Sequence, residues 1–280
     1  MISMVRTLPQ AVRRRFAAFA TCSLIIAALP MPASALTQSW NGYRWARTGP
    51  LVISMGDNLT APWASLLAPA TMAWSAANNI DFVITTGSST SACAAVFGGV
   101  QICNGNYGAN GWLGYANVWL SSGFIVQATV RLNDHYFGLA RYNTAAWRQQ
   151  VICQEIGHTL GLAHTNTVKT NLNTGSCMDY TNDPSGTVGG VNGTLSNTGP
   201  NAVDFSALDG IYANVNTTQL ASTKPTVRVG EGFSIDDHHH DSIAFVPEPG
   251  NWLMLITGFG GIGAALRRRR RYQRPEPVTA

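Results

Sequence analysis

The stretch Gln154-Glu155-Ile156-Gly157-His158-Thr159-Leu160-Gly161-Leu162-Ala163-His164 constrains this chain more than any other part of it. On a helix, positions 154 and 158 are four apart and face the same way. Glu155 lies beside them, where a carboxylate can reach whatever that face binds. Gly161 permits a sharp turn out of the helix, because glycine takes positive φ without steric penalty. The chain can then bring His164 back to the same face, a spacing that suits a shared metal ion. The helix carrying this stretch is expected over Thr144 to Leu162, with Thr144 as its N-cap. Residues 165–200 follow as a polar segment rich in Asn, Thr and Gly, without periodicity. A loop of that length inside a compact domain is usually functional.

The elements before the helix read as a mixture. Leu51 to Ser54 is an extended, β-like run. Ala70, Ala73, Trp74 and Ala77 recur at helical spacing, which predicts a helix over Pro69 to Ala77 with Pro69 in its first turn. Ile80 to Thr85, Leu113 to Leu120 and Ile125 to Leu132 read as strands, the last two separated by Ser121-Ser122-Gly123. Residues 86–112 read as a loop region, Pro200 to Ala213 as a short final helix, and residues 214–245 as a linker. This order of elements predicts an α+β or α/β-like class.

The two ends have compositions of their own. Of 18 basic residues, ten lie at Arg6, Arg13 to Arg15, Arg267 to Arg271 and Arg274. Between Leu36 and Phe245 there are 8 basic and 12 acidic residues, a net −4, so the overall +4 gives no reason to expect a nucleic-acid partner. Residues 1–35 form a positive segment, an apolar run from Phe16 to Leu29 and the small-residue site Ala33-Ser34-Ala35, which predicts a secretory signal. At the other end, Val246-Pro247-Glu248-Pro249 precedes an apolar stretch, Trp252 to Leu266, and then five arginines. An apolar stretch followed by arginines is a stop-transfer pattern. In order and composition, residues 246–280 resemble the PEP-CTERM sorting signal. That resemblance implies an exosortase-type transpeptidase as partner, transient membrane association, and a cell-surface or extracellular-matrix location once both signals are removed. An ordinary single-span anchor is the alternative.

The central stretch itself resembles the metzincin signature H-E-x-x-H-x-x-G-x-x-H, with Gln154 at the first position. Ser176-Cys177-Met178-Asp179-Tyr180 resembles the Met-turn of that superfamily. Leu132-Asn133-Asp134 is similar to the edge strand of matrixin-like members, and Pro200, Asp204, Leu208, Ile211 and Tyr212 to their final helix; the resemblance spans roughly residues 40–213. It implies a metzincin-like catalytic domain over residues 36–213. Its expected parts are a twisted mixed sheet, an active-site helix, a Met-turn and a C-terminal helix. It implies zinc as the metal, His158 and His164 as ligands, Glu155 as general base, and Gly161 and Met178 as structural residues. Tyr180 stands where related enzymes place a tyrosine that ligates the metal or stabilises the oxyanion. Three readings of the third ligand stay open. Gln154 offers its amide oxygen, a weaker zinc ligand than imidazole; or His135 reaches in; or the site is degenerate and the domain only binds.

Four cysteines follow the signal, an even number in keeping with an oxidising compartment. Of three connectivities, the expected one is Cys93–Cys103 and Cys153–Cys177, the second joining the helix to the Met-turn. The reading as a whole is an exported zinc-dependent endopeptidase acting on peptide or protein. A matrix or binding protein on the same fold is the alternative. Asp236-Asp237-His238-His239-His240-Asp241 has the composition of a metal chelator but, lying in the expected linker, reads as a solvated segment.

Overall fold

The computed structural model describes residues 38–88, 93–186, 193–214, 225, 227–235 and 242–245. Residues 1–35 and 246–280, where terminal signals are expected, and the His-rich segment 236–241 lie outside the described residues. The structure is α+β, built on a mixed sheet. Its strands are β1 (Arg44–Trp45), β2 (Leu51–Asn58), β3 (Ile80–Thr86), β4 (Gly99–Gly105), β5 (Gly114–Ser121), β6 (Phe124–Asn133), β7 (Val227–Glu231) and β8 (Ser242–Phe245). The helices are α1 (Ala64–Trp74), α2 (Asp134–Phe137), α3 (Ala145–Thr159) and α4 (Ala202–Ile211). The spatial order is β3-β2-β4-β6-β5-β7-β8, with β1 beside β6. The pairs β2–β3, β2–β4, β4–β6 and β1–β6 are parallel. The pairs from β5 through β8 are antiparallel.

Pattern and burial explain most of these elements. In β2, Leu51, Ile53 and Met55 are buried while Val52 and Ser54 are exposed, the alternation of a strand with one wet face. In β5 and β6 the connecting residues Ser122 and Gly123 have φ of 51° and 81°. Two positive φ values suit the two-residue hairpin turn whose twist matches that of the strands. Helix α3 is the central element: eleven of its residues are buried, and it packs on α1, β5 and β6. The Trp74 indole donates to the Cys153 carbonyl at 2.9 Å, fixing α1 against it. The disulfides are Cys93–Cys103 and Cys153–Cys177.

Four expectations are corrected. Helix α1 starts at Ala64, so Pro69 lies inside it rather than in its first turn. The carbonyl that a residue-69 N–H would have served belongs to Ser65, which is exposed and open to water. Residues 86–112 are not all loop. They contain β4, a buried strand between β2 and β6 whose flanking glycines disguise it. Leu132-Asn133-Asp134 is no edge, because β6 lies between β4 and β5. Residues 214–245, expected as a linker, carry β7 and β8; Val227 and Val229 face inward on β5, whose edge offers backbone groups for pairing. Among the described residues, no helix is long and apolar enough to cross a membrane.

Candidate metal centre

Helix α3 delivers the first residues of the site. Its start is fixed by Thr144, whose hydroxyl accepts from the Trp147 amide at 3.2 Å. One face of its last turns then points Gln154 and His158 into the interior, where both are fully buried, as is Glu155. The helix ends at Thr159 and the chain turns back at Gly161, where φ is +88°. A Cβ there would lie 1.9 Å from the Tyr43 carbonyl oxygen, so both conformation and space require glycine. The returning chain is held by the segment before β1. Trp40 N donates to Gly161 O at 2.8 Å and Ala163 N to Gln38 O at 2.7 Å. This places His164 Nε2 3.1 Å from His158 Nε2.

The two rings are oriented from their far sides. His158 Nδ1 lies 2.8 Å from the Leu162 carbonyl oxygen. A carbonyl only accepts, so Nδ1 carries the proton and the neutral ring has its lone pair at Nε2. Burial lowers the His158 pKa to about 4; Glu231 works against this, His164 with it, and the bond to Leu162 against it. The ring is therefore neutral at pH 7. His164 Nδ1 lies 2.8 Å from Glu231 Oε1, again an acceptor. Two Nε2 lone pairs thus converge, an arrangement that needs a proton or a metal cation between them. Tetrahedral zinc with Zn–N of about 2.0–2.1 Å would hold two nitrogens about 3.3 Å apart, close to the observed separation. The donor set fits the ion.

Gln154, expected as third ligand, uses its Nε2 to donate to the Cys177 carbonyl at 2.9 Å. Its Oε1 is buried and has no hydrogen-bond partner among the described residues. A buried acceptor left unmet costs about 1–3 kcal/mol. His135 sits on α2 with its ring against Tyr136 and does not join the group. The carboxylate that does join is Glu231 of β7. One donor atom from each of His158, His164 and Glu231 lies within 4.8 Å of the others.

Glu155 accepts from the Phe233 amide at 3.0 Å through Oε1, and the Ala116 amide also faces its carboxylate. Burial pushes its carboxyl well above the usual carboxylate range. The Phe233 amide opposes the shift, Glu231 adds to it, and the Ala116 amide opposes it. Room for this side chain comes from Gly114, where a Cβ would lie 2.6 Å from Glu155 Cγ. Met178 is fully buried against α3: a Cβ on Gly157 would lie 2.4 Å from its sulfur. The Tyr180 ring packs 4.5 Å from His164, and its hydroxyl donates to Gly232 O at 2.7 Å and accepts from Ser234 N at 3.1 Å.

Sequence reasoning missed Gly114, Glu231 and Phe233. The alternation Val227-Arg228-Val229 was the available signal for β7, but five residues between polar stretches do not distinguish a strand from a linker.

No protein-family model and no curated protein matches this chain. Among solved structures, it is similar to myroilysin, with 12% identity over 64% of this chain and 99% of that one and a TM-score of 0.35. It is also similar to high choriolytic enzyme 1, a hatching-enzyme zinc-protease of the medaka fish Oryzias latipes. There the identity is 13% over 62% of this chain and 94% of that one, with a TM-score of 0.34.

Proposed function

We propose that this chain is an exported zinc-dependent endopeptidase. The observation that carries the reading is the convergence of His158 Nε2 and His164 Nε2 beside Glu155 in a buried site. His158, His164 and the Gln154 amide oxygen would hold the ion. Zinc, when bound, polarises a scissile carbonyl and makes water nucleophilic near neutral pH. Glu155 takes the proton of the attacking water and returns it to the leaving amine. Tyr180 stands against His164 and supplies a hydroxyl to the developing oxyanion once its present bonds to residues 232 and 234 open. The terminal segments fit the same reading. The signal over 1–35 exports the chain, and an exosortase-type transpeptidase acts at residues 246–280.

The test is hydrolysis of casein by the purified chain with one equivalent of zinc, beside Glu155→Ala. Hydrolysis lost in the variant supports the reading. Bound zinc without hydrolysis in either protein would instead support the second reading, a cell-surface binding protein on this fold, which the Gln154 substitution favours.

A further inference from the structure

The groups assigned to chemistry share a partner that the mechanism does not use. His164 bonds Glu231, Glu155 accepts from Phe233 N, and the Tyr180 hydroxyl bridges Gly232 O and Ser234 N. All four partners belong to one extended segment, residues 227–235. This segment runs antiparallel along β5, from Val227 opposite Leu120 to Glu231 opposite Ala116. Beyond the strand its backbone stays paired. Leu113 N donates to Phe233 O, and Ile235 N to Gly111 O, both at 2.8 Å. The Phe233 ring is 1% exposed, stacked 4.5 Å from Tyr180 and edge-on 5.6 Å from Trp147.

An extended peptide held for cleavage would meet the same demands. It adds to a free strand edge through its backbone, lodges alternate side chains in pockets, and passes beside the base. We propose that residues 227–235 are an intramolecular strap lying in the peptide-binding cleft, so that strap and substrate peptide compete for β5. The inference rests on the peptidase reading for its meaning, though not for its test. Glu231 anchors the strap. A carboxylate that is 7% exposed is costly to bury unless a cation or proton donor meets it. Here His164 donates to it, and the ion the histidine pair would hold adds positive charge. Phe233 is the second anchor, and it identifies the occupied pocket as one that accepts an aromatic side chain. Gly232 makes the close approach possible: a Cβ there would lie 2.3 Å from the Gly114 carbonyl oxygen and 2.7 Å from Tyr115 Cα.

The experiment compares the full chain with Gly232→Ala, which must lift the strap without altering a ligand, and with Glu231→Ala, which removes the anchor. The probe is a fluorescein-labelled peptide of residues 227–235, followed by anisotropy, with hydrogen exchange of the β5 amides read in parallel. The closed strap lowers apparent probe affinity by the fraction of open molecules, so both variants bind at least about tenfold tighter than the wild type. Amides of β5 exchange at least about tenfold faster while β4 and β6 stay protected. Equal probe affinity in all three proteins overturns the proposal. So does loss of protection throughout the sheet in both variants, which would make β7 a constitutive strand. Casein hydrolysis separates the two readings. A lifted strap without hydrolysis counts against the peptidase alone. Hydrolysis by the wild type that neither variant increases counts against the strap alone.

Discussion

At the residue scale, the candidate site is held by local geometry: His158 and Glu155 share the end of α3, and the turn at Gly161 returns His164 to within 3.1 Å of His158. Glu155, His158 and His164 declare themselves by spacing, because helix geometry and one glycine are enough to bring them together. Gly161 was legible for the same reason, although only the structure shows that the Tyr43 carbonyl also excludes a side chain there. Glu231 was not legible, since its place depends on a strand pairing with a partner more than a hundred residues away. Replacing Glu155 with Gln keeps the shape of the site and removes the carboxylate proposed as proton acceptor. The expected outcome is a loss of roughly 10²–10⁴-fold in kcat for casein, with bound zinc unchanged by elemental mass spectrometry. Gln154→His exchanges an amide oxygen for an imidazole. Zinc is expected to bind roughly tenfold tighter or more, a gain of at least about 1.4 kcal/mol, read by competition with a chelating dye.

At the scale of elements, β2, β3, β5, β6, α3 and α4 were visible because each carries its own pattern, and the two helices carry caps as well. Strand β4 was hidden by its flanking glycines and by being buried on both faces, which erases alternation. Helix α4 shows what a legible start consists of. The Asn201 side chain accepts from the residue 203 and 204 amides while Asp204 accepts from the Asn201 amide at 2.7 Å, a reciprocal cap. Asp204 also receives Ser176 Oγ at 2.8 Å and Gln38 Nε2 at 2.6 Å, tying α4 to the Met178 segment and to the chain before β1. Burial raises its pKa above the ordinary carboxylate value, more than the bonds from Asn201, Ser176 and Gln38 lower it. An acid with a raised folded-state pKa binds its proton more readily when folded. The stability due to that proton is fully present below the unfolded-state pKa and is lost as pH rises through the raised value. In Asp204→Asn the corresponding part of the pH slope of urea-unfolding stability is expected to vanish. The variant is expected to be about 1–3 kcal/mol less stable at neutral pH, since its amide cannot accept all three donors.

For the molecule as a whole, the site depends on two chain segments that no helix or strand joins: α3 and the turn around Met178. Three links hold them together. Gln154 Nε2 reaches Cys177 O, Gln150 Nε2 reaches Asp179 O at 2.9 Å, and the Cys153–Cys177 disulfide closes a separation of 24 residues. The disulfide constrains the unfolded chain, and a loop of this size contributes about 3.5 kcal/mol in the chain-entropy account. The hydrogen bonds do not replace it, because each contributes only about 1 kcal/mol net. In Cys153→Ala/Cys177→Ala the floor beneath His158 is therefore expected to loosen before the sheet does. The global unfolding midpoint in urea falls by an amount equivalent to about 2–4 kcal/mol. Amides of residues 176–180 lose exchange protection well below that midpoint, while β2, β4 and β6 keep theirs. Zinc uptake discriminates the outcome further. If the turn's role is to hold Met178 against Gly157 and so fix His158, the double variant binds zinc more weakly than the wild type under native conditions. Unchanged affinity with lowered global stability would instead show that α3 and the chain around Gly161 orient the histidine pair without help from the turn.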